Sequence, residues 1–552
     1  MAVRPGSWPW SILLALAAAA ALGSWWLDTR PVQVANGPPG RLQCISYAPS
    51  ADPGADPRGV TLEKIRADLA LLARRTGCVR TYTVSGGFDR VPEVAAEFGL
   101  QVLLGAWIAG DAAHNDGEIE RVIDVANRHR DVIRAVIVGN EVLLRHELPP
   151  TQLATLIRRV ADGTGLPVTY ADVWAFWLKN PSLADSVSFV TVHILPYWDD
   201  DPVGLDIVMP YVEALHAEIA RRFPGKALLV GETGWPSAGR PRGPAAPSRV
   251  NQARYVREFT TVAASRGIDY NLIEAFDQPW KIEHEGTVGG HWGIHDVRGR
   301  EKFPWTGMVE EAPQGRLVLL AALAASLLGA LTGGLLARAQ RGHAAVVGAS
   351  AAALLVGIGA RQLQFMLAGN TSALEWAATV GVALAAWLSF AIAVRALLTA
   401  GPARDPVPGW LALALLLGAA YVSLGLVFAG RHRDFPVWLF LPAVLGLGLT
   451  ALLQPMARAW NLRARRATEQ VLLATLLLAA GGLVPLIEGA RNSRALGWGA
   501  TCLLLGSAIL LPLALQARQH QRAAEQADRG PGEPVQHHAN GTDRHGRIGR
   551  DR

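Results

Sequence analysis

From Arg41 to about Phe303, short apolar runs of strand length alternate with stretches of helical periodicity. That alternation predicts repeated β-α units around a parallel sheet. The expected strands are Leu42–Ser46, Val79–Thr83, Gln101–Ala106, Ala135–Gly139, Pro167–Ala171, Val187–His193, Ala227–Gly231 and Tyr270–Ala275. Helices are expected between them at Leu62–Arg75, Glu118–Asn127, Thr151–Asp162, Val208–Arg222 and Ser248–Arg266. Eight strands in about 260 residues fit a closed (β/α)8 TIM barrel of the α/β class, whose chemistry sits at the carboxyl ends of its strands.

Past Phe303 the pattern changes to long apolar segments at about 317–337, 343–360, 373–394, 409–429, 436–454, 470–488 and 495–515. An eighth runs from Ser11 to Leu27 near the N-terminus. Such lengths suit membrane spans, and their Gly and Ala content suits closely packed helices. The expected organisation is an N-terminal anchor at 1–30, a barrel at 31–310, an α-helical seven-span region at 316–516 and a disordered cytoplasmic tail at 517–552. The anchor reads as uncleaved, with a cleaved signal peptide as the alternative.

With the N-terminus inside, the inner loops hold Arg338, Arg341, Arg395, Arg404, Arg458, Arg463, Arg465, Arg466, Arg518 and Arg522. The outer loops hold Arg361, Arg431, Arg433, Arg491 and Arg494. The bias places the barrel on the extracytoplasmic side of a bacterial inner membrane. It also changes the reading of the net charge of +6: residues 31–310 are mildly acidic, so the surplus arginine is a topology signal and no nucleic-acid partner is expected. Three cysteines make no metal-ligand spacing, and buried free thiols are expected for Cys44 and Cys78, with pairing in an oxidising compartment as the alternative.

Two expected strands end alike. Ile133 to Glu141 and Ala227 to Ser237 are each an apolar run closed by Gly and then a polar segment, and each presents a glutamate, Glu141 or Glu232. A single strand-end Glu is ordinarily a solvated charge. Two carboxyl groups about 5 to 5.5 Å apart can cleave a glycosidic bond with retention, one as nucleophile and one as acid/base. Asn140 is placed to hydrogen-bond a sugar 2-hydroxyl, while Tyr47, Arg80, Tyr82, His193 and Tyr197 fall near strand ends as supports. Glu274 is read as a binding residue or the ion-pair partner of Lys281. Of the tryptophans near strand ends and loops, Trp107, Trp174, Trp177, Trp198, Trp235, Trp280 and Trp292, the expected sugar platforms are Trp280 and Trp292. Asp199-Asp200-Asp201 reads as a solvated loop, and neither a metal nor a cofactor is expected.

Four segments carry a family resemblance: Arg80-Thr81-Tyr82, Val138-Gly139-Asn140-Glu141, Gly231-Glu232-Thr233-Gly234-Trp235-Pro236-Ser237, and Glu274-Ala275-Phe276-Asp277-Gln278-Pro279-Trp280-Lys281. Together with Glu285 to Gly293 they resemble glycoside hydrolase family 17 over about residues 41–305. The resemblance implies a retaining barrel enzyme acting on β-1,3-glucan, with Glu141 as acid/base and Glu232 as nucleophile. The eighth-strand segment is similar to membrane-bound bacterial relatives described as β-glucan synthases or glucanosyltransferases. The expected function is therefore cleavage followed by transfer to another glucan, with a glucan synthase as a possible membrane partner. Plain endo-1,3-β-glucosidase activity is the alternative. A non-catalytic glucan receptor, or a transporter with an accessory barrel, needs neither glutamate.

Overall fold

The computed structural model describes residues 8–49, 60–336, 341–398, 407–428, 435–453, 464–489 and 492–528. Eight strands form a closed barrel: β1 (Ile45–Ser46), β2 (Cys78–Arg80), β3 (Gln101–Ala106), β4 (Ile133–Asn140), β5 (Val168–Val173), β6 (Val190–His193), β7 (Leu228–Thr233) and β8 (Asp269–Leu272). Each pairs in parallel with the next, and Ile45 of β1 pairs with Leu272 of β8 to close the ring. The first strand is shorter than expected because Leu42 makes only an isolated bridge to Thr76.

Helix α1 (Trp8–Asp28) precedes the barrel. Its outer layer holds α2 (Leu62–Leu72), α3 (Val91–Glu97), α4 (Ala112–Arg128), α5 (Pro150–Thr164), α6 (Trp174–Lys179), α7 (Val208–Arg222) and α8 (Arg249–Arg266). A one-turn helix, α9 (Ile282–Glu285), follows β8. Side-chain caps start the longer helices: Asp111 accepts from the Ala113 N–H at α4, and Ser248 from the Asn251 N–H at α8.

Alternate strand residues face opposite ways. Val102, Leu104, Val136, Val138, Val190 and Val230 are buried in the main core that contains the helix layer, whereas Leu103, Ala135, Ile137, Ala171 and Leu229 form a separate inner cluster. Cys44 and Cys78 belong to that inner cluster and are joined by a disulfide, with Cα atoms 4.3 Å apart. This corrects the expectation of free thiols: β1 and β2 are adjacent, and the register brings together two residues 34 positions apart.

The barrel is followed by α10 (Gly315–Leu336), α11 (Arg341–Gly369), α12 (Ala373–Leu398), α13 (Gly409–Phe428), α14 (Val437–Leu453), α15 (Ala464–Glu488) and α16 (Ser493–Asp528). Among the described residues seven helices, α1 included, are long and apolar enough to cross a membrane, and α14 is a shorter apolar helix. Two expectations are revised. Arg361 is not in a loop, because α11 continues past it; its guanidinium pairs with Asp28 at 2.6 Å and lies 3.9 Å from the Trp25 ring. The tail begins as helix, because α16 runs through to Asp528. Residues 529–552, and Arg338, Arg404, Arg431, Arg433, Arg458, Arg463 and Arg491, lie outside the described residues.

Candidate active site

The apolar run of β4 buries Ala135 to Gly139 and ends at Asn140. Gly139 adopts φ +88°, and a Cβ there would meet Val142 Cγ2 at 2.6 Å, so only glycine makes this turn. Glu141 follows at φ +54°, a left-handed conformation uncommon for a side chain of its size and frequent at functional sites. Its N–H donates to the Ala171 carbonyl at 2.8 Å, beyond a register shift in the β4–β5 ladder. The turn holds Glu141 at the rim of the cleft described below.

On the opposite side, Glu232 lies in β7 and pairs in register with His193 of β6 across another shift. A Cβ at Gly231 would meet Thr191 Cγ2 at 2.5 Å and the His193 ring at 3.2 Å, so glycine lets β6 close in. The result is a bridged pair of carboxylates. His193 Nδ1 lies 2.9 Å from Glu141 Oε1, and its Nε2 lies 3.7 Å from Glu232 Oε1. One ligand atom from each of Glu141, His193 and Glu232 falls within 4.8 Å of the other two.

The two acids sit in different surroundings. The Glu141 side chain is 22% exposed and that of Glu232 only 7%. Tyr82 donates its hydroxyl to Glu232 Oε1 at 2.8 Å, and Arg80 Nη1 donates to the same oxygen at 3.3 Å. Burial alone would push the Glu232 carboxyl up; His193, Arg80, the Tyr82 hydroxyl and Lys281 outweigh it and hold it below the ordinary range. Glu232 is thus kept ionised. Arg80 Nη2 also donates to Asn140 Oδ1 at 2.5 Å, tying the end of β4 to the network around β7.

Further acids ring this pair. Glu274 is buried and accepts both of its 3.0 Å bonds from Lys281 Nζ, yet burial pushes it up to about 7. Glu285 and Asp172 were not singled out as site residues in the sequence. Glu285 lines the cleft, and burial together with Glu232 and Glu141 raises it despite Lys281. Asp172 is the penultimate residue of β5, accepts from the Tyr170 hydroxyl and the Val173 N–H, and burial raises it to about 6. A buried aspartate near the end of a barrel strand was the available signal for it.

A cleft of about 860 Å3 opens over the carboxylates. Glu141, His193, Glu232 and Trp292 line it, joined by Trp174, Phe176 and Trp198. Trp198 and Trp292 stack with centroids 6.5 Å apart and planes 20° from parallel. The structure brings Asn140, Arg80, Tyr82, Glu274 and Lys281 to the carboxylate network, mostly beneath the cleft. Four other expected binding residues fall elsewhere. Tyr47 is buried and donates to Asp68 at 3.1 Å, and Tyr197 is buried behind Trp198 and donates to the Arg240 carbonyl at 2.6 Å. Trp235 stacks on Tyr255 in the core, with its indole bonded to the Ala246 carbonyl. Trp280 is exposed, but its indole turns to Gln278 and it does not line the cleft. These residues leave strand ends in turns that fold back on the barrel, so closeness to a strand end did not put them in the opening.

Among the described residues, Glu141, His193 and Glu232 are the group with metal-ligand proximity. A divalent cation there would engage both carboxylates and remove them from acid/base work. Without it, the arrangement offers one ionised and one more exposed carboxyl facing a shared, aromatic-walled space.

Residues 44–293 match the family model described as the BtgE/BtgC glycoside hydrolase domain. A glucan 1,3-beta-glucosidase of Candida albicans is 28% identical over 252 residues, which cover 41% of this chain and 81% of that protein. A glucan 1,3-beta-glucosidase of Schizosaccharomyces pombe is 29% identical over 233 residues, covering 39% of this chain and 72% of that protein. A crystal structure of the glycoside hydrolase family 17 beta-1,3-glucanosyltransferase from Rhizomucor miehei aligns with a TM-score of 0.43 and 26% identity, over 48% of this chain and 96% of that one. The barrel belongs to the enzymes that act on O-glycosyl bonds. Within that class, it is a glycoside hydrolase family 17 domain.

Proposed function

We propose that this protein is a membrane-embedded, retaining enzyme that cleaves β-1,3-glucan and transfers the released glycosyl unit to another glucan. The observation that carries the reading is the proximity of the two carboxylates, whose nearest oxygens lie within 4.8 Å. That spacing fits double displacement on one anomeric carbon and leaves no room for the water an inverting pair holds between its carboxyls, about 6.5 to 9.5 Å apart.

In the first step an ionised Glu232 oxygen attacks the anomeric carbon. The bond to the leaving oxygen breaks, and Glu141 gives that oxygen its proton. In the second step Glu141 takes the proton of an incoming hydroxyl, the new glycosidic bond forms, and the Glu232 ester breaks. Arg80 and Tyr82 keep Glu232 anionic and oriented; His193 holds Glu141. Asn140 is suited to a sugar 2-hydroxyl, while Glu274 and Lys281 act from behind Glu232. No activated donor is required, since the ester conserves the bond energy for transfer.

The aromatic walls at Trp174, Phe176, Trp198 and Trp292 support transfer, because they can hold a second sugar chain against the intermediate in competition with water. The curated relatives, named glucan 1,3-beta-glucosidases, favour plain hydrolysis as the second reading. Incubation with laminari-oligosaccharides separates the two. Products longer than the substrate mean transfer, and only shorter ones mean hydrolysis.

We place the protein in a bacterial inner membrane, with residues 31–310 as the extracytoplasmic catalytic domain, 1–30 as anchor and 316–516 as the membrane region. The seven helices among the described residues that are long and apolar enough to cross a membrane support association with a lipid bilayer, and the Cys44–Cys78 disulfide supports an oxidising compartment for the barrel. A glucan synthase remains a proposed partner.

A further inference from the structure

The loop after β7 leaves the cleft at Glu232 and reaches the helical region eight residues later. There Arg240 Nη2 donates to the carbonyl of Gly369, the last residue of α11, at 2.7 Å and approaches Oε1 of Glu375, in the first turn of α12, at 3.4 Å, so that it bridges the two ends of the α11–α12 turn. The turn is itself held: Glu375 Oε2 accepts from the N–H groups of Thr371 at 2.8 Å and Ser372 at 3.2 Å.

The other end of Arg240 faces the cleft wall. Its carbonyl accepts from the Tyr197 hydroxyl at 2.6 Å. The Tyr197 ring meets Trp198 edge-on at 5.0 Å and Trp292 at 6.0 Å. Arg242, two residues on, donates to the Tyr197 carbonyl at 2.8 Å and lies 5.4 Å from the Trp198 ring. A continuous set of contacts therefore runs from the α11–α12 turn through Arg240 and Tyr197 to the stacked indoles. Tyr197, which does not itself line the cleft, is the middle of that chain.

We propose that Arg240 is a positioning residue through which the α11–α12 turn sets the tryptophan wall of the sugar cleft. The proposal rests on the glucan-active reading given above. It assigns the helical region a part in substrate binding as well as in anchorage. Arg240 lies behind the wall and apart from the Glu141–His193–Glu232 cluster, so loosening it weakens the grip on the sugar while leaving proton transfer intact.

The test uses the full-length protein in lipid nanodiscs, with laminarihexaose as substrate. Arg240→Ala raises KM by about 3- to 10-fold, as expected for a lost charge-assisted hydrogen bond felt through one intermediary, and leaves kcat within about 2-fold. Arg240→Lys, which keeps a cationic donor, recovers most of the KM. Binding of laminarihexaose to Glu232→Gln, followed by tryptophan fluorescence, weakens by the same factor when Arg240→Ala is added, which reads the effect without turnover. An Arg240→Ala KM equal to that of the unaltered protein overturns the proposal. So does a fall in kcat with KM unchanged, or an Arg240→Lys variant no better than Arg240→Ala. If Arg240→Ala does not fold, Glu375→Gln, which removes the charge that Arg240 approaches, decides by the same KM criterion. Failure of the unaltered protein to bind or turn over any laminari-oligosaccharide is a different result and refutes the glucan-active reading itself.

Discussion

His193 Nδ1 lies 2.9 Å from Glu141 Oε1, so the more exposed carboxylate of the site is held by the same imidazole that approaches the buried one. The ring is fully buried between the two acids, and β6–β7 pairing sets its place. One side chain therefore stands within 3.7 Å of both carboxylates.

Replacing His193 by Ala removes a cation-capable neighbour that helps hold Glu232 below the ordinary range. The Glu232 carboxyl then titrates at higher pH, and the acidic limb of kcat/KM moves upward. Turnover falls by about 10- to 100-fold, less than the loss of a general acid itself costs. A pH–rate series on the variant measures both effects.

Trp198→Ala removes one of two stacked rings from the cleft wall without touching either carboxylate. An aromatic contact contributes about 0.5 to 1.5 kcal/mol beyond its buried area, so KM for laminari-oligosaccharides rises roughly 2- to 12-fold while kcat changes little. Steady-state kinetics on a chain-length series checks it. The effect should be largest for oligosaccharides long enough to reach the wall.

Asp172 supplies a pH-dependent stability test. Burial raises its carboxyl from 3.8 to about 6 in the folded state. The folded protein therefore binds that proton more tightly than the unfolded chain, and the associated stability is complete below about 4 and lost as pH rises through 6. The full difference is about 3 kcal/mol. Asp172→Asn removes this dependence, so the fall in the barrel's melting temperature between pH 4 and pH 7 shrinks relative to the unaltered protein.

The Cys44–Cys78 disulfide closes a loop of 34 residues inside the barrel. Chain-entropy arguments assign such a bridge about 3 to 4 kcal/mol. The Cys44→Ser, Cys78→Ser double variant should melt several degrees lower, and reductant should lower the transition of the unaltered protein but not of the variant. Differential scanning calorimetry with and without reductant makes the comparison.

Local pattern reached the strands and their terminal glutamates, because a doubly covered parallel strand is a continuous apolar run and Gly139 and Gly231 mark where it ends. Arg80, Tyr82 and His193 were accessible for the same reason, lying on or beside strand ends in register with the acids. The direction taken by a loop was not accessible. Trp235 follows Glu232 by three residues and still packs on Tyr255, whereas Trp198, noted only as one tryptophan among several, turns into the cleft. Asp172 reads as an ordinary polar residue until the barrel buries it. The disulfide depends on inter-strand register, which no spacing of 34 residues encodes.

The central claim is that Glu141 and Glu232 act on a single anomeric centre by double displacement. Proton NMR of the anomeric signals during the first turnovers of laminaripentaose tests it most directly, before mutarotation mixes the products. The account predicts that new anomeric signals, internal linkages formed by transfer and any ends released by water alike, appear first in the β configuration, and that Glu232→Gln abolishes them. Initial appearance of the α anomer, or unchanged turnover in Glu232→Gln, would contradict it.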